Sequence, residues 1–171
     1  MKAVHIIGHA GCGKTTLIVD LIEEMVKREI KVGSLKHSAH VHELDKPGKD
    51  SFLHRKAGAV PASMMTQSMA AIYLPASDKL TPEKLLEKYY SNVDLVLIEG
   101  WISGPYDKIE IWQSHIKKKP LFSYVEHVKA FVSDAGDDLD PEDMAAVKAK
   151  QINIFKRFDC SLMADFILDL T

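Results

Sequence analysis

The stretch GHAGCGKTTL, from Gly8 to Leu17, restricts the fold of this chain more than any other feature. It matches G-x-x-x-x-G-K-S/T and lies between the apolar run AVHII and a segment whose apolar residues recur at helical spacing. In such a loop successive backbone N–H groups face one anion, which requires glycine where φ is positive or the anion approaches closely. The order strand, loop, helix therefore predicts a phosphate-binding loop in an α/β fold.

The side chains of this loop predict a nucleoside triphosphate and Mg2+ as its ligands. The helix that begins near Lys14 directs its positive dipole end toward the anion, and Lys14 adds a charge for the β- and γ-phosphates. Thr15 offers a hydroxyl to Mg2+. Cys12 is interpreted as a small loop filler rather than a nucleophile. The competing interpretation, a Gly-rich turn that matches by chance, is disfavoured by the flanking strand and helix.

Composition narrows the class of protein. With 171 residues and 46% hydrophobic content, the chain is predicted to form a single domain over residues 1–171. A formal net charge of -2 argues against nucleic-acid or acidic-membrane partners. The start MKAVHII lacks the long apolar segment of a signal peptide, and the two cysteines are far apart, so we expect a cytoplasmic protein without disulfides.

The remaining patterns predict a three-layer α/β P-loop NTPase fold, with a mostly parallel central sheet and an antiparallel strand pair at residues 60–66 and 68–74. Thr81 and Asp140 each precede a proline and predict helix N-termini. Asp50 or Ser51 is predicted to cap a short helix that runs to residue 59. Sheet strands are predicted at residues 3–7, 31–35, 94–98, 108–112 and 128–134, whereas the mixed periodicity of residues 151–171 predicts no particular element.

Glu99 is predicted to act beside the phosphate loop. It follows the apolar strand DLVLI, and the carboxyl ends of parallel strands share one edge of the sheet with that loop. A carboxylate there could hold Mg2+ through water or orient an attacking water. Asp94, at the opposite end of the same strand, is predicted to be structural.

A long polar loop follows the second strand and carries three histidines and three carboxylates besides its lysines. Three interpretations stay open: binding of a phosphate-bearing partner molecule through Lys and His donors, ligation of Zn or Ni, or a solvated loop without a ligand. The residues concerned are Lys36, His37, His40, His42, Glu43, Asp45, Lys49 and Asp50.

Taken in order, the segments GHAGCGKTTL, VGSLKHSAHVHELDKPGKDS, AGA, DLVLIEG and KIEI resemble the family of molybdopterin-guanine dinucleotide biosynthesis protein B, MobB. The resemblance spans roughly Lys2 to Ile111, with a weaker similarity in VKAFVSD. The loop alone also resembles that of the wider SIMIBI class of P-loop proteins, whereas KH-x-x-H followed by D-x-x-GKDS is far more specific. The resemblance implies a homodimeric, GTP-binding protein with weak GTPase activity that acts as an adapter to the guanylyltransferase MobA in molybdenum cofactor biosynthesis.

The resemblance also implies roles for individual residues. The loop residues, with Gly8 and Cys12 completing the cradle, would hold GTP and Mg2+, and molybdopterin is a possible second ligand. Lys14, Glu99 and Asp50 are the catalytic candidates, with Thr15 and Glu99 at the metal. The implied ligand contacts are Gly8, Gly11, Cys12, Gly13, Lys14, Thr15, Thr16, Lys36, His37, His40, Asp45, Lys49 and Lys108.

The sequence departs from that family at several points. His42 stands where an aromatic residue is commoner, and Trp112 and Gln113 follow KIEI where a nearby Arg is expected. The chain has no NKxD guanine signature, so GTP rather than ATP follows from the resemblance. Asp134, after the strand VKAFV, could accept from guanine N1 and N2, although a strand-end cap is an equal alternative.

Three other functions compete with the adapter GTPase. A metal-insertion GTPase would load Ni or Zn on the loop histidines, and a partner-binding protein would use the nucleotide only to order loops. A small-molecule kinase would need an Arg-rich lid, which Arg28, Arg55 and Arg157 hardly supply. Because no arginine finger or water-orienting Gln accompanies the phosphate loop, weak turnover is expected.

Overall fold

The computed structural model of the chain describes residues 2–76, 80–134 and 139–170. Backbone contacts divide the chain into two compact units, one comprising Met1–Ser38 with Tyr89–Thr171 and the other Ala39–Lys88. A single domain over residues 1–171 stays a prediction. No helix of the described ranges combines the length and the apolar character needed to cross a membrane, and a cytoplasmic location stays a prediction.

The strands are β1 (Lys2–Ile7), β2 (Val32–Lys36), β3 (Ala62–Met65), β4 (Ala70–Tyr73), β5 (Leu95–Glu99), β6 (Lys108–Ile111), β7 (Val128–Val132) and β8 (Asn153–Phe155). The helices are α1 (Lys14–Lys27), α2 (Asp50–Lys56), α3 (Pro82–Tyr89), α4 (Pro141–Ala149) and α5 (Cys160–Asp169). Two 3-10 turns lie at Ser114–Ile116 and Leu121–Ser123.

The first unit is built on a six-stranded sheet in the order β2-β5-β1-β6-β7-β8, with every neighbouring pair parallel. Val4 and Ile6 pack with Leu21 of α1 in one apolar cluster, whereas Ile7 and Phe131 belong to a second cluster. Because alternate residues of a strand face opposite sides, the sheet is covered on both faces. The predicted parallel sheet with a separate antiparallel pair is confirmed.

Helix starts follow the sequence signals in two of three cases. The Asp140 carboxylate accepts from the Asp143 N–H at 2.8 Å and caps α4, and Thr81 Oγ1 accepts from the Lys84 N–H at 3.4 Å before α3. The predicted cap of α2 is wrong. Its N-cap is Lys49, without a side-chain cap hydrogen bond, and the helix ends at Lys56 rather than at residue 59. Its Asp50 occupies the first turn, where a carboxylate is favoured by the helix dipole.

The second unit contains the antiparallel pair β3 and β4, in which Ala62 lies opposite Tyr73 and Met65 opposite Ala70. The turn between them is closed by the Thr66 N–H, which donates to the Met69 carbonyl at 2.8 Å. This hairpin agrees with the predicted pair around Gln67 and Ser68.

The tail forms an edge strand and a helix that its mixed periodicity did not reveal. β8 adds to β7, and α5 buries Met163, Ala164 and Ile167 in the cluster that includes α1 residues. Arg28, at the end of α1, donates to Asp165 Oδ1 at 2.5 Å and to the Ser161 carbonyl at 2.9 Å. Because β8 is parallel to β7, the loop between β8 and α5 lies at the same carboxyl edge of the sheet as the phosphate loop.

Candidate functional site

The loop between β1 and α1 has the backbone that phosphate binding requires. Gly8, Gly11 and Gly13 all have positive φ, at 149°, 80° and 93°. A methyl group on Gly8 would lie 2.3 Å from the Ile111 carbonyl oxygen, so that any side chain there would clash with β6. Gly13 is the N-cap of α1, and its left-handed backbone turns the chain from the loop into the helix.

Lys14 lies folded over the beginning of this loop. Its ammonium donates to the carbonyls of Gly8 and His9, both at 2.9 Å. The amine therefore stands at the mouth of the loop, where the predicted contact with the β- and γ-phosphates requires it. Thr16 is exposed in the first turn of the same helix.

Glu99 meets Thr15 and Lys36 at the carboxyl edge of the sheet. The Thr15 hydroxyl lies 3.2 and 3.1 Å from the two Glu99 carboxylate oxygens, and Lys36 Nζ lies 3.0 Å from Oε1. Strand pairing brings these groups together, because Glu99 is in register with Ile6 on one side and Lys36 on the other. The hydroxyl and the carboxylate supply the oxygen ligands that Mg2+ prefers, so the donor set fits the predicted ion.

Cys12 behaves as the predicted filler. Its side chain is fully buried in the cluster that includes Leu17 and Ile111. Burial raises the pKa of the Cys12 thiol, although neighbouring Lys14 opposes that shift. A buried thiol of raised pKa is a poor nucleophile.

Lys108 is buried beneath the segment that follows β5. Its ammonium donates to the carbonyls of Gly104 at 2.8 Å and Tyr106 at 3.1 Å, and burial lowers the pKa of Lys108. Trp101, in the same segment, has a φ of 56° and packs edge-on against His5 with ring centres 5.2 Å apart. Lys108 thus fixes this segment, and its contact with a ligand stays a prediction.

His37 and Asp134 border the same edge of the first unit. The backbone N–H of His37 donates to the Glu99 backbone carbonyl at 3.1 Å. The centre of the His37 ring lies 5.7 Å from that of Trp101. Exposed Asp134 accepts from Gln113 Nε2 at 3.2 Å. Gln113, noted as a departure from the family, therefore orients the carboxylate predicted to read the base.

The remaining loop candidates lie in the second unit. Asp45 is buried and accepts from the Ser51 hydroxyl at 3.1 Å, with Arg55 Nε 3.5 Å away. Burial acts to raise the Asp45 pKa, but hydrogen bonds from Ser51 and Lys46 and the charge of Arg55 outweigh it and leave the pKa below its usual value. This carboxylate therefore anchors the loop.

The other candidate site residues of the second unit are exposed. Lys49 and Asp50 are exposed at the start of α2, and His40 is exposed with its ring 6.2 Å from that of His42. Within the described ranges no three His, Cys, Asp or Glu side chains are grouped as a metal site would require. The predicted roles of Asp45, Lys49, Asp50 and His40 toward a ligand stay predictions.

One side chain at the phosphate loop was not among the predicted site residues. Arg157, between β8 and α5, places its guanidinium against Gly13, where a methyl group would lie 2.6 Å from its nearest nitrogen. No local signal reveals this neighbour, because Arg157 follows a three-residue edge strand in the unassigned tail and reaches the loop only through the tertiary fold.

Comparison with known proteins agrees with this architecture. A family model described as molybdopterin guanine dinucleotide synthesis protein B matches residues 3–134. The molybdopterin-guanine dinucleotide biosynthesis adapter protein of Escherichia coli K12 is 33% identical over 164 residues, which cover 94% of this chain and 87% of that protein. The protein of the same name from Haemophilus influenzae is 33% identical over 136 residues, or 79% and 76% of the two chains. The crystal structure of Bacillus subtilis MobB shares the fold, with a TM-score of 0.75 at 22% identity over 99% of this chain and 98% of that one.

Proposed function

The chain belongs to the family of molybdopterin guanine dinucleotide synthesis protein B, and from that premise we propose that it is a GTP-binding adapter with weak GTPase activity. Its proposed partner is the MobA-like guanylyltransferase that attaches GMP to molybdopterin. The place of the chain in molybdopterin guanine dinucleotide synthesis follows from the family, whereas GTP, Mg2+ and the partner belong to the proposal.

The contact of Thr15 with Glu99 is the observation that carries nucleotide binding. It joins the first turn of α1 to the end of β5, and Lys14 lies at the adjacent loop mouth. A polyphosphate would be bound by the loop amides, the helix dipole and the Lys14 ammonium together. Guanine rather than adenine is proposed from the family, with Asp134 as the acceptor for the base.

The same residues account for slow hydrolysis. Bound Mg2+ would neutralise charge on the β- and γ-phosphates, and Thr15 and Glu99 are the residues that would hold it. In this proposal Glu99 also orients a water for attack on the γ-phosphorus, and the reaction releases GDP and phosphate. Lys36 fixes the Glu99 carboxylate on its other side. Weak turnover is expected because this set of residues provides no guanidinium for the γ-phosphate.

A second ligand and a second copy complete the proposal. The exposed Lys49 and His40 offer donors to an anionic ligand, for which molybdopterin is proposed from the family.

The proposed homodimer is supported by the hairpin of β3 and β4, which exposes large apolar side chains on both of its faces. Met64 is 54% exposed on one face, and Met65 and Ile72 are 82% and 55% exposed on the other.

Calorimetry with GTP and ATP in the presence of Mg2+ tests nucleotide binding. The wild-type chain should bind GTP more tightly than ATP, and Lys14→Ala should weaken GTP binding by about 10- to 150-fold, since a hydrogen bond to a charged group contributes roughly 1.5–3 kcal/mol. Lys27→Ala is the matched control, because it removes an exposed lysine from the other end of the same helix. Unchanged GTP affinity in Lys14→Ala, with an unaltered melting temperature, would contradict the proposal, as would a preference for ATP.

A further inference from the structure

The guanidinium of Arg157 lies beside Gly13 at the end of the phosphate loop. A methyl group built on Gly13 would lie 2.6 and 2.8 Å from the two terminal guanidinium nitrogens and 3.0 Å from the central carbon. The whole guanidinium group therefore packs against the backbone of the N-cap of α1. Arg157 as a whole is half-buried.

This position is electrostatically unfavourable in the chain by itself. Helix N-termini carry partial positive charge, which favours anions and disfavours cations, and the Lys14 ammonium already lies at the same loop. The Arg157 guanidinium has neither a hydrogen-bond acceptor nor a carboxylate partner among residues 2–76, 80–134 and 139–170. By contrast, Arg28 is paired with Glu24 and Asp165.

We propose that Arg157 is a phosphate ligand of the nucleotide site, supplied by the loop between β8 and α5. An anion held by the Gly13 amide and the N-terminus of α1 would neutralise the guanidinium that packs against the same backbone. Arginine suits this task because its planar group can donate two hydrogen bonds to one phosphate. The inference rests on the proposed nucleotide binding. It adds one residue to the nucleotide site and states which phosphates that residue contacts.

The arrangement of the two cations indicates which phosphates each one contacts. Lys14 lies over the carbonyls of Gly8 and His9, at the beginning of the loop, whereas Arg157 lies against Gly13, at its end. In loops of this pattern the backbone amides cradle the α- and β-phosphates and the lysine reaches the β- and γ-phosphates. Arg157 therefore contacts the α- and β-phosphates, which agrees with slow hydrolysis because the γ-phosphate receives no added charge.

The substitution Arg157→Gln in the full chain tests this assignment, with Lys156→Gln as the matched control. Lys156 is the adjacent cation and is exposed, with Nζ 5.8 Å from the centre of the Phe158 ring. Fluorescent GTP and GDP derivatives are titrated with Mg2+, and inorganic pyrophosphate is used as a competitor. We expect Arg157→Gln to weaken GTP, GDP and pyrophosphate binding by a similar factor, about tenfold or more, and Lys156→Gln to leave all three within about twofold.

The outcomes separate this inference from the proposed function. If the wild-type chain binds no guanine nucleotide, both fail; if it binds normally and Arg157→Gln binds equally well, only the role of Arg157 fails. A loss confined to GTP would overturn the assignment to the α- and β-phosphates, and an unchanged pyrophosphate competition would overturn a phosphate contact altogether. The melting temperature without nucleotide should not fall in Arg157→Gln, because a cation is removed from a positive helix end; a fall together with normal binding would identify a purely structural residue.

Discussion

At the scale of single residues, the buried carboxyl group of Glu110 makes the folded state sensitive to pH. Glu110 is fully buried in β6 and accepts from the N–H groups of Leu121 at 2.6 Å and Phe122 at 2.8 Å. These bonds favour the carboxylate, but burial outweighs them and, with a smaller contribution from Asp143, raises the pKa of Glu110 to about 7. The folded chain therefore binds this proton more tightly than the unfolded chain does.

Replacing Glu110 by Gln should remove that pH dependence. Since the folded pKa of about 7 exceeds the usual 4.5, the stabilisation is complete below pH 4.5 and is lost as the pH rises through 7. The free energy of unfolding of the wild type, minus that of Glu110→Gln, should fall by roughly 3 kcal/mol between these limits. Urea unfolding at pH 4.5 and 8 measures it, and a difference that is independent of pH would contradict the prediction.

The wild type must be compared with Glu110→Gln because the titration of His5 changes the free energy of unfolding with pH in the opposite direction. Burial, assisted by the Lys108 charge, lowers the pKa of His5 to about 4 from 6.5. Its contribution to stability is present above pH 6.5 and is lost as the pH falls through about 4. Both chains contain His5, so its effect cancels in the difference.

Residue roles could be predicted from the sequence where they depend on local geometry. The positive φ of Gly13 and the position of Lys14 follow from the loop pattern itself, and the contact of Thr15 with Glu99 follows from the rule that parallel strands share a carboxyl edge. Arg157 could not be found in this way, because its contact with Gly13 depends on how α5 packs beside α1.

At the scale of elements, the cap of α4 offers a test with a close control. The Asp140 carboxylate accepts from the Asp143 N–H, so Asp140→Ala should lower the free energy of unfolding by about 1 kcal/mol. Glu142→Ala also removes an acidic residue near the same helix start. Its exposed pair with Lys119, at 3.4 Å, should contribute little. Thermal unfolding of both variants measures the two losses in the free energy of unfolding. Equal losses would show that the Asp140 cap is not the cause of the loss in Asp140→Ala.

The elements that escaped prediction have weak local signals. β8 has three residues, of which Asn153 and Ile154 are exposed, so it shows no alternation that marks a strand. The N-cap of α5, Asp159, makes no side-chain cap hydrogen bond, and the helix has no proline at its start. Both elements depend on neighbours, β7 and α1, that lie far away in sequence. The central strands were predictable because burial on both faces requires continuous apolar runs.

At the scale of the whole molecule, the sequence-based identification of the family is confirmed by the match over residues 3–134. The identification was possible because five motifs occur in a fixed order and because KH-x-x-H followed by D-x-x-GKDS is far more specific than the phosphate loop, which alone is shared by the wider class of P-loop proteins. The fold is confirmed by the parallel sheet and by its likeness to Bacillus subtilis MobB. Oligomeric state depends on surfaces that these motifs do not cover, so it needs its own experiment.

The exposed hairpin predicts a homodimer that one charge should disrupt. Met65 is 82% exposed and lies on the same face as Ile72, next to the turn between β3 and β4. A glutamate at position 65 would be buried without a partner if a second copy covered this face, at a cost of several kcal/mol. Met65→Glu should therefore convert the dimer into a monomer in sedimentation equilibrium experiments. Val26→Glu is the control, because Val26 is 59% exposed on α1 in the other unit. A wild-type monomer, or a dimer that persists in Met65→Glu with unchanged affinity, would refute a homodimer through the hairpin.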